Sequence, residues 1–135
     1  MFSHVMIGAN DIEAMLAFYD RVLETLGLTR DSAQPPDSPA GFIWLRGKAR
    51  WPQFALRHPV NGHRATVGNG VQISFAASSP QHVIAAWTAA LENGGSDEGA
   101  PGFRPRYSSD FFAAYCRDPE GNKLCFVHAH EFSVN

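Results

Sequence analysis

Cysteine is scarce in this sequence: Cys116 and Cys125 are the only two in 135 residues, too few for a disulfide-stapled scaffold. Long apolar runs are missing as well. No uninterrupted stretch approaches the roughly 20 residues that a membrane-spanning helix needs. The opening Met1-Phe2-Ser3-His4-Val5 has no basic stretch, apolar run and small-residue cleavage site of the kind a secretory signal carries. The expectation is a cytoplasmic protein with reduced thiols and no membrane partner. Positive charge is not in excess either. Lys and Arg number 11 against 13 Asp and Glu, for a net charge of -2, and the basic residues are scattered. That leaves no electrostatic footprint for a phosphate backbone, so nucleic acid is not an expected partner. What is present, 44% hydrophobic and 18% charged positions, is the balance of one globular domain with a real core.

Residues 3 to 9 read as a short apolar strand, and Asn10-Asp11 offers a helix cap. Ile12, Leu16, Tyr19, Leu23 and Leu26 follow at three- and four-residue steps on one helical face, ended by Gly27. The same unit recurs. Val71 to Ala77 reads as a strand, Ser78-Ser79-Pro80 as a cap with proline in the first turn, and Val83, Ala86, Trp87, Ala90 and Leu91 as a stripe before Gly94-Gly95. A shift of 68 residues places Leu16 on Ile84, Tyr19 on Trp87, Leu23-Glu24 on Leu91-Glu92 and Gly27 on Gly95. Strand-like runs follow each helix: Gly41 to Leu45 and Gln53 to His58, then Phe111 to Cys116 and Lys123 to His128. Two copies of one motif, over 1–60 and 70–130, account for this pattern; two unrelated amphipathic helices at similar spacing would also do so. By composition, Gln34 to Pro39, expected to cap one end of the sheet, and Asn61 to Gly70 are loops, as is the stretch from Asp97 to Tyr107, whose aromatic and basic side chains are available to a pocket.

Three stretches carry a family resemblance. His4-Val5-Met6-Ile7 with Asp11-Ile12 and Phe18-Tyr19-Asp20 through Leu26-Gly27-Leu28 resembles the opening strand and helix of the vicinal oxygen chelate superfamily, which holds glyoxalase I, the bleomycin-resistance proteins and the extradiol dioxygenases. Gly70 to Phe75 is similar to the opening of its second unit, and Asp118-Pro119-Glu120-Gly121-Asn122-Lys123-Leu124 to its closing hairpin. The resemblance implies one α+β domain of two βαβββ units, a cupped mixed sheet with helices on its outer face, and a homodimer whose open sheet edges need cover.

It also implies a metal site, one position at a time. His4 matches the first ligand position, Gln72 stands where histidine is usual, Cys125 where the closing glutamate is usual, and Ala55 at the remaining place, with Gln53 and Arg57 on the same strand face. An amide and a thiol in place of imidazole and carboxylate leave a damaged oxygen-and-nitrogen site and remove charge that would balance an ion. Either no cofactor or a weakly held zinc, nickel or iron ion follows. In a metal-free pocket, His4, Gln72, Tyr107, Cys125 and Arg57 would be the inward polar groups, ringed by Trp44, Phe54, Phe111, Phe112 and Tyr115. Those aromatics equally describe a core. Arg57, Arg104 and Arg106 offer guanidinium forks for a carboxylate or phosphate, although solvated loop arginine accounts for the last two as well. His58, His63, His82, His128 and His130 sit at loop edges, on a helix's polar side or near the C-terminus.

Two functional readings remain. One is a lyase- or dioxygenase-like enzyme on a small oxygenated metabolite, with His4 as base or ligand, Gln72 orienting a substrate oxygen and Tyr107 at the pocket mouth. The other is a metal-free protein that sequesters a small aromatic or amphipathic ligand, as bleomycin-resistance relatives do; a degenerate dimeric scaffold without a ligand is a third. Hairpin counting adds one more expectation. A four-residue loop from Pro119 to Asn122 would set Asp118 opposite Lys123 and Cys116 directly opposite Cys125, on one sheet face, whereas a one-residue bulge would separate them.

Overall fold

The computed structural model describes residues 1–33, 35 and 37–132; Gln34 and Pro36, within the expected proline-rich loop, lie outside the described residues. The first unit runs β1 (His4–Gly8), α1 (Ile12–Glu24), β2 (Leu28–Arg30), β3 (Phe42–Arg46) and β4 (Gln53–Arg57). The second runs β5 (Ile73–Ala76), α2 (Pro80–Glu92), β6 (Ser96–Phe103), β7 (Phe112–Arg117) and β8 (Lys123–His128). Each unit forms one mixed four-stranded sheet, in the orders β1-β4-β3-β2 and β5-β8-β7-β6, with the first pair parallel and the others antiparallel.

The caps lie where side-chain chemistry puts them. Asp11 accepts from the Ala14 amide at 3.1 Å to start α1, and Ser79, followed by Pro80, accepts from the His82 amide at 3.3 Å to start α2. Both helices are 13 residues long and begin at Ile12 and Pro80, so the 68-residue offset holds without a gap. The repeat extends to single hydrogen bonds. Ala9 N donates to Arg57 O at 2.9 Å and Ala77 N to Val127 O at 2.8 Å. His58 Nδ1 lies 3.0 Å from Ala9 O and His128 Nδ1 lies 2.9 Å from Ala77 O. A carbonyl can only accept, so in both imidazoles the proton sits on Nδ1.

One core joins the units. Met15, Phe18, Tyr19, Val22 and Leu23 of α1 pack with Val83, Ala86 and Ala90 of α2, with Trp44, Phe54 and Leu56 of the first sheet and with Ala114, Cys116, Leu124 and Phe126 of the second. Polar ties cross the same seam. The buried Asp118 accepts from Tyr19 Oη at 2.6 Å, while Glu120 accepts from the amides of Asn10 and Asp11 at 2.8 to 2.9 Å. A carboxylate at the mouth of α1 also opposes the positive end of the helix dipole.

Two expectations change, and one strand was not foreseen. The stretch from Asp97 to Tyr107 is not wholly loop, because β6 occupies Ser96–Phe103; its register against β7 slips twice, between Asp97 and Gly99 and between Gly99 and Gly102, so its glycines and proline sit at irregular positions an edge strand tolerates. The three-residue β2 leaves too short a pattern to read. The cysteines do not face one another: Tyr115 pairs with Cys125, and Cys116 with Leu124. Arg117 lies opposite Lys123, so five residues, Asp118 to Asn122, separate the strands rather than four, and one step of register sends the two thiols to opposite faces.

Candidate functional site

Alternation along β7 and β8 divides the second sheet. Ala114, Cys116, Leu124 and Phe126 face the shared core, while Ala113, Cys125 and Val127 form a small cluster on the other face with Phe111 and Tyr115 against it. Above that cluster opens a cleft of about 500 Å³ lined by Gln72, Glu98, Gly99, Arg104, Arg106, Tyr107, Phe111, Tyr115 and Lys123. This is the size range of a small-molecule pocket.

Its polar groups are held by one another. Gln72 Nε2 donates to Ser74 Oγ at 3.0 Å. The buried Cys125 thiol, packed against Tyr115 without lining the cleft, hydrogen-bonds with Ser74 and Tyr115; burial nonetheless raises its pKa, so it stays protonated at neutral pH. Burial also raises the Tyr115 phenol. The Arg104 guanidinium lies 5.5 Å from the Tyr115 ring centroid and Lys123 Nζ 5.6 Å from the same centroid, while Arg106 covers Tyr107 at 4.9 Å. Glu98, the one acid in the lining, is paired with Arg117 at 2.9 Å.

The other residues singled out in the sequence lie elsewhere. His4 is on the exposed edge strand β1, with Nδ1 2.9 Å from Ser3 Oγ and its ring beside Trp51; it does not line the cleft. Trp44 corrects its pocket assignment: its side chain, like that of Phe54, points to the α1 side of the first sheet and packs with Tyr19, because β3 and β4 put Ile43 and Ala55 on the opposite face, while Phe54 also lines the second groove described below and not the cleft. Arg57, at the end of β4, donates to the carbonyls of His58 and Pro39, well away from the cleft. A second groove, about 490 Å³ and mostly apolar, follows the seam between Val5, Trp51 and Phe54 on one side and Ile73 and Phe75 on the other. Sequence reasoning missed Lys123 and Ser74; period-two alternation from Cys125 would have placed Lys123 on the cleft face.

The residues present do not fit the family's divalent metal. Gln72 and Cys125 offer a neutral amide and a protonated thiol, Ala55 offers no donor, and His4 belongs to the other sheet. Among the described residues no group of three His, Cys, Asp or Glu side chains is placed to hold an ion. Of the four positions only His4 keeps a usual ligand, and the other donors are a neutral amide and a protonated thiol of mixed hardness.

The comparisons agree with the architecture. The family model described as the Glyoxalase/Bleomycin resistance protein/Dioxygenase superfamily matches residues 1–126. A glyoxalase/bleomycin resistance protein from Albidiferax ferrireducens T118 is 40% identical, with a TM-score of 0.82 over 96% of this chain and 98% of that one. A glyoxalase/bleomycin resistance protein/dioxygenase family enzyme from Burkholderia phytofirmans PsJN shares the fold at 20% identity and a TM-score of 0.67, over 93% and 96% of the two chains. Glyoxalase I of Zea mays, as a V278E mutant, is 22% identical with a TM-score of 0.61, over 93% of this chain and 45% of that one. No curated protein matches the sequence. With two βαβββ units and a match along nearly its whole length, the chain belongs to the glyoxalase/bleomycin resistance protein/dioxygenase superfamily.

Proposed function

We propose that this protein binds a small organic molecule in the cleft of its second sheet without the help of a metal, as a sequestering protein of the bleomycin-resistance type. One observation carries the reading: Tyr107, Phe111 and Tyr115 wall a cleft whose convergent polar groups, Gln72, Arg104 and Lys123, are hydrogen-bond donors and cations instead of metal ligands. Aromatic walls with a few fixed polar groups are the usual make-up of a ligand pocket. The lyase- or dioxygenase-like alternative asks His4 to act beside Gln72, and the two stand on the edge strands of different sheets, or just before them.

The test is a thermal-shift and calorimetric titration with a panel of aromatic compounds, on wild type and Tyr115→Ala. Binding to wild type that weakens at least about tenfold in the variant, one lost aromatic contact being worth about that much, is the expected result. No binding at all, or equal binding by both, would overturn the proposal. Metal analysis of protein purified without a histidine tag gives the second arm, in which a stoichiometric transition metal would return the enzymatic reading. We also propose a homodimer, since β1, β2, β5 and β6 are each open on one side and open edges are ordinarily covered.

A further inference from the structure

The geometry points to carboxylate recognition: we infer that Arg104 and Lys123 form an anion-holding pair above Tyr115, so that the ligand of this cleft is an aryl or similar planar carboxylate. The inference rests on the ligand-binding reading above and names the chemical class that the site takes.

Arg104 is built into place. It follows β6 directly, and its side chain folds back across that strand, where Nη2 donates to Ala100 O at 2.7 Å and Nη1 lies 3.5 Å from Phe103 O. The strand makes room for it. A Cβ on Gly99 would stand 3.0 Å from Tyr115 Cδ2 and 3.4 Å from Arg104 Nη2, and one on Gly102 would stand 3.0 Å from Arg104 Nη1. The two register slips of β6 fall at these same glycines. The irregular strand is thus a cradle that lays a guanidinium on the ring of Tyr115, with donors left over.

Nothing in the lining neutralises the charge. Among the described residues, Arg104, Arg106 and Lys123 make no ion pair, and Glu98 is committed to Arg117. An anion bound in the cleft would offset the positive charge that Arg104, Arg106 and Lys123 leave in its lining. A guanidinium fork also matches the two oxygens of a carboxylate. The rings of Tyr107, Phe111 and Tyr115 then supply the apolar contact for the body of the ligand.

Two probes of nearly equal shape decide the matter: naphthalene-1-carboxylate and naphthalene-1-carboxamide, titrated by calorimetry into wild type, Arg104→Gln and Lys123→Gln. The carboxylate should bind wild type at least about tenfold more tightly than the amide, as charge-assisted hydrogen bonds imply. Each substitution should cut that preference, with the carboxylate losing more affinity than the amide, and added salt should weaken the carboxylate more than the amide. Equal affinity for the two probes would overturn the carboxylate inference and leave the ligand-binding reading in place. Failure of both to bind would overturn the inference, and failure of the whole aromatic panel would overturn the reading with it. A fall in amide affinity equal to that of the carboxylate in both variants would show that the side chains merely shape the cleft, and would also overturn the inference.

Discussion

Asp118 concentrates more hydrogen bonds than any neighbour in the closing turn. Its Oδ1 accepts from the amides of Glu120 and Asn122, and its Oδ2 from Tyr19 Oη and Asn122 Nδ2. Removing Tyr19 Oη by Tyr19→Phe leaves three donors in place, so a loss of about 1–2 kcal/mol is expected. Asp118→Ala strands all four and should cost more, on the order of 3 kcal/mol; denaturant unfolding of both variants measures the difference. If Tyr19→Phe proves the more damaging, the turn is not organised by the carboxylate. The thiols give a pH prediction. Burial pushes Cys116 up to about 12, so folding favours its protonated form. Its contribution is fully present below the ordinary thiol pKa near 9 and is lost as pH rises toward 12, with Tyr19, also raised mainly by burial, acting in the same direction. Stability should therefore fall over that alkaline range, and the fall should be smaller in Cys116→Ala when each protein is compared with itself at pH 7. The thiol register shows where reading the sequence runs out. The Asp-Pro-x-Gly turn was legible, but whether Asp118 closes the ladder or leaves it depends on its carboxylate accepting from two amides ahead of it, and one residue of error exchanges the sheet faces.

Both helices and their caps were legible, because a 3.6-residue apolar period and an Asp or Ser ahead of it are local signals. The strands β4 and β8 were legible as short apolar runs bounded by turn residues. The strand β6 was not, since Gly99, Pro101 and Gly102 write a loop composition into an element whose pairing is supplied by β7. The candidate site suffered most from this. Family positions pointed to His4, Gln72 and Cys125; the structure sets Gln72 and Cys125 near Arg104, which the sequence offered as an anion-binding fork, and near Lys123, which no pattern marked. Helix ends give the test at this scale. A Cβ on Gly95 would stand 2.7 Å from Arg117 O, 2.8 Å from Ala90 O and 2.9 Å from Phe18 Cε2, two of them backbone atoms that cannot swing aside. Gly94 has φ +98°, yet its added Cβ would meet nothing closer than Pro119 Cγ at 3.4 Å. Gly95→Ala should therefore cost on the order of 2–3 kcal/mol by forced repacking, and Gly94→Ala about 1 kcal/mol by backbone strain. Thermal unfolding of the two variants would show the reverse order if α2 can shift away from β7.

Because one core holds side chains from both units, unfolding should be a single transition in which helical circular dichroism and tryptophan fluorescence coincide; two separated transitions would mean that the units hold themselves up independently. For the homodimer, sedimentation at micromolar concentration should give a species of twice 14.8 kDa. A lone 14.8 kDa species would remove it. No helix among the described residues is long and apolar enough to cross a membrane.

The Glu120 carboxylate at the front of α1 lies 109 and 110 residues downstream of the amides it serves, and it adds to the local cap that Asp11 already gives that helix. On the ribosome this gives the chain an order of events. Each helix can start on its own cap, Asp11 or Ser79, but the Asn10 and Asp11 amides and the Tyr19 hydroxyl lack their native partners until the turn between β7 and β8 emerges. The first unit is therefore completed only by a turn made 109 and 110 residues later, and a chain halted before that turn carries an α1 whose entry still lacks part of its native bonding.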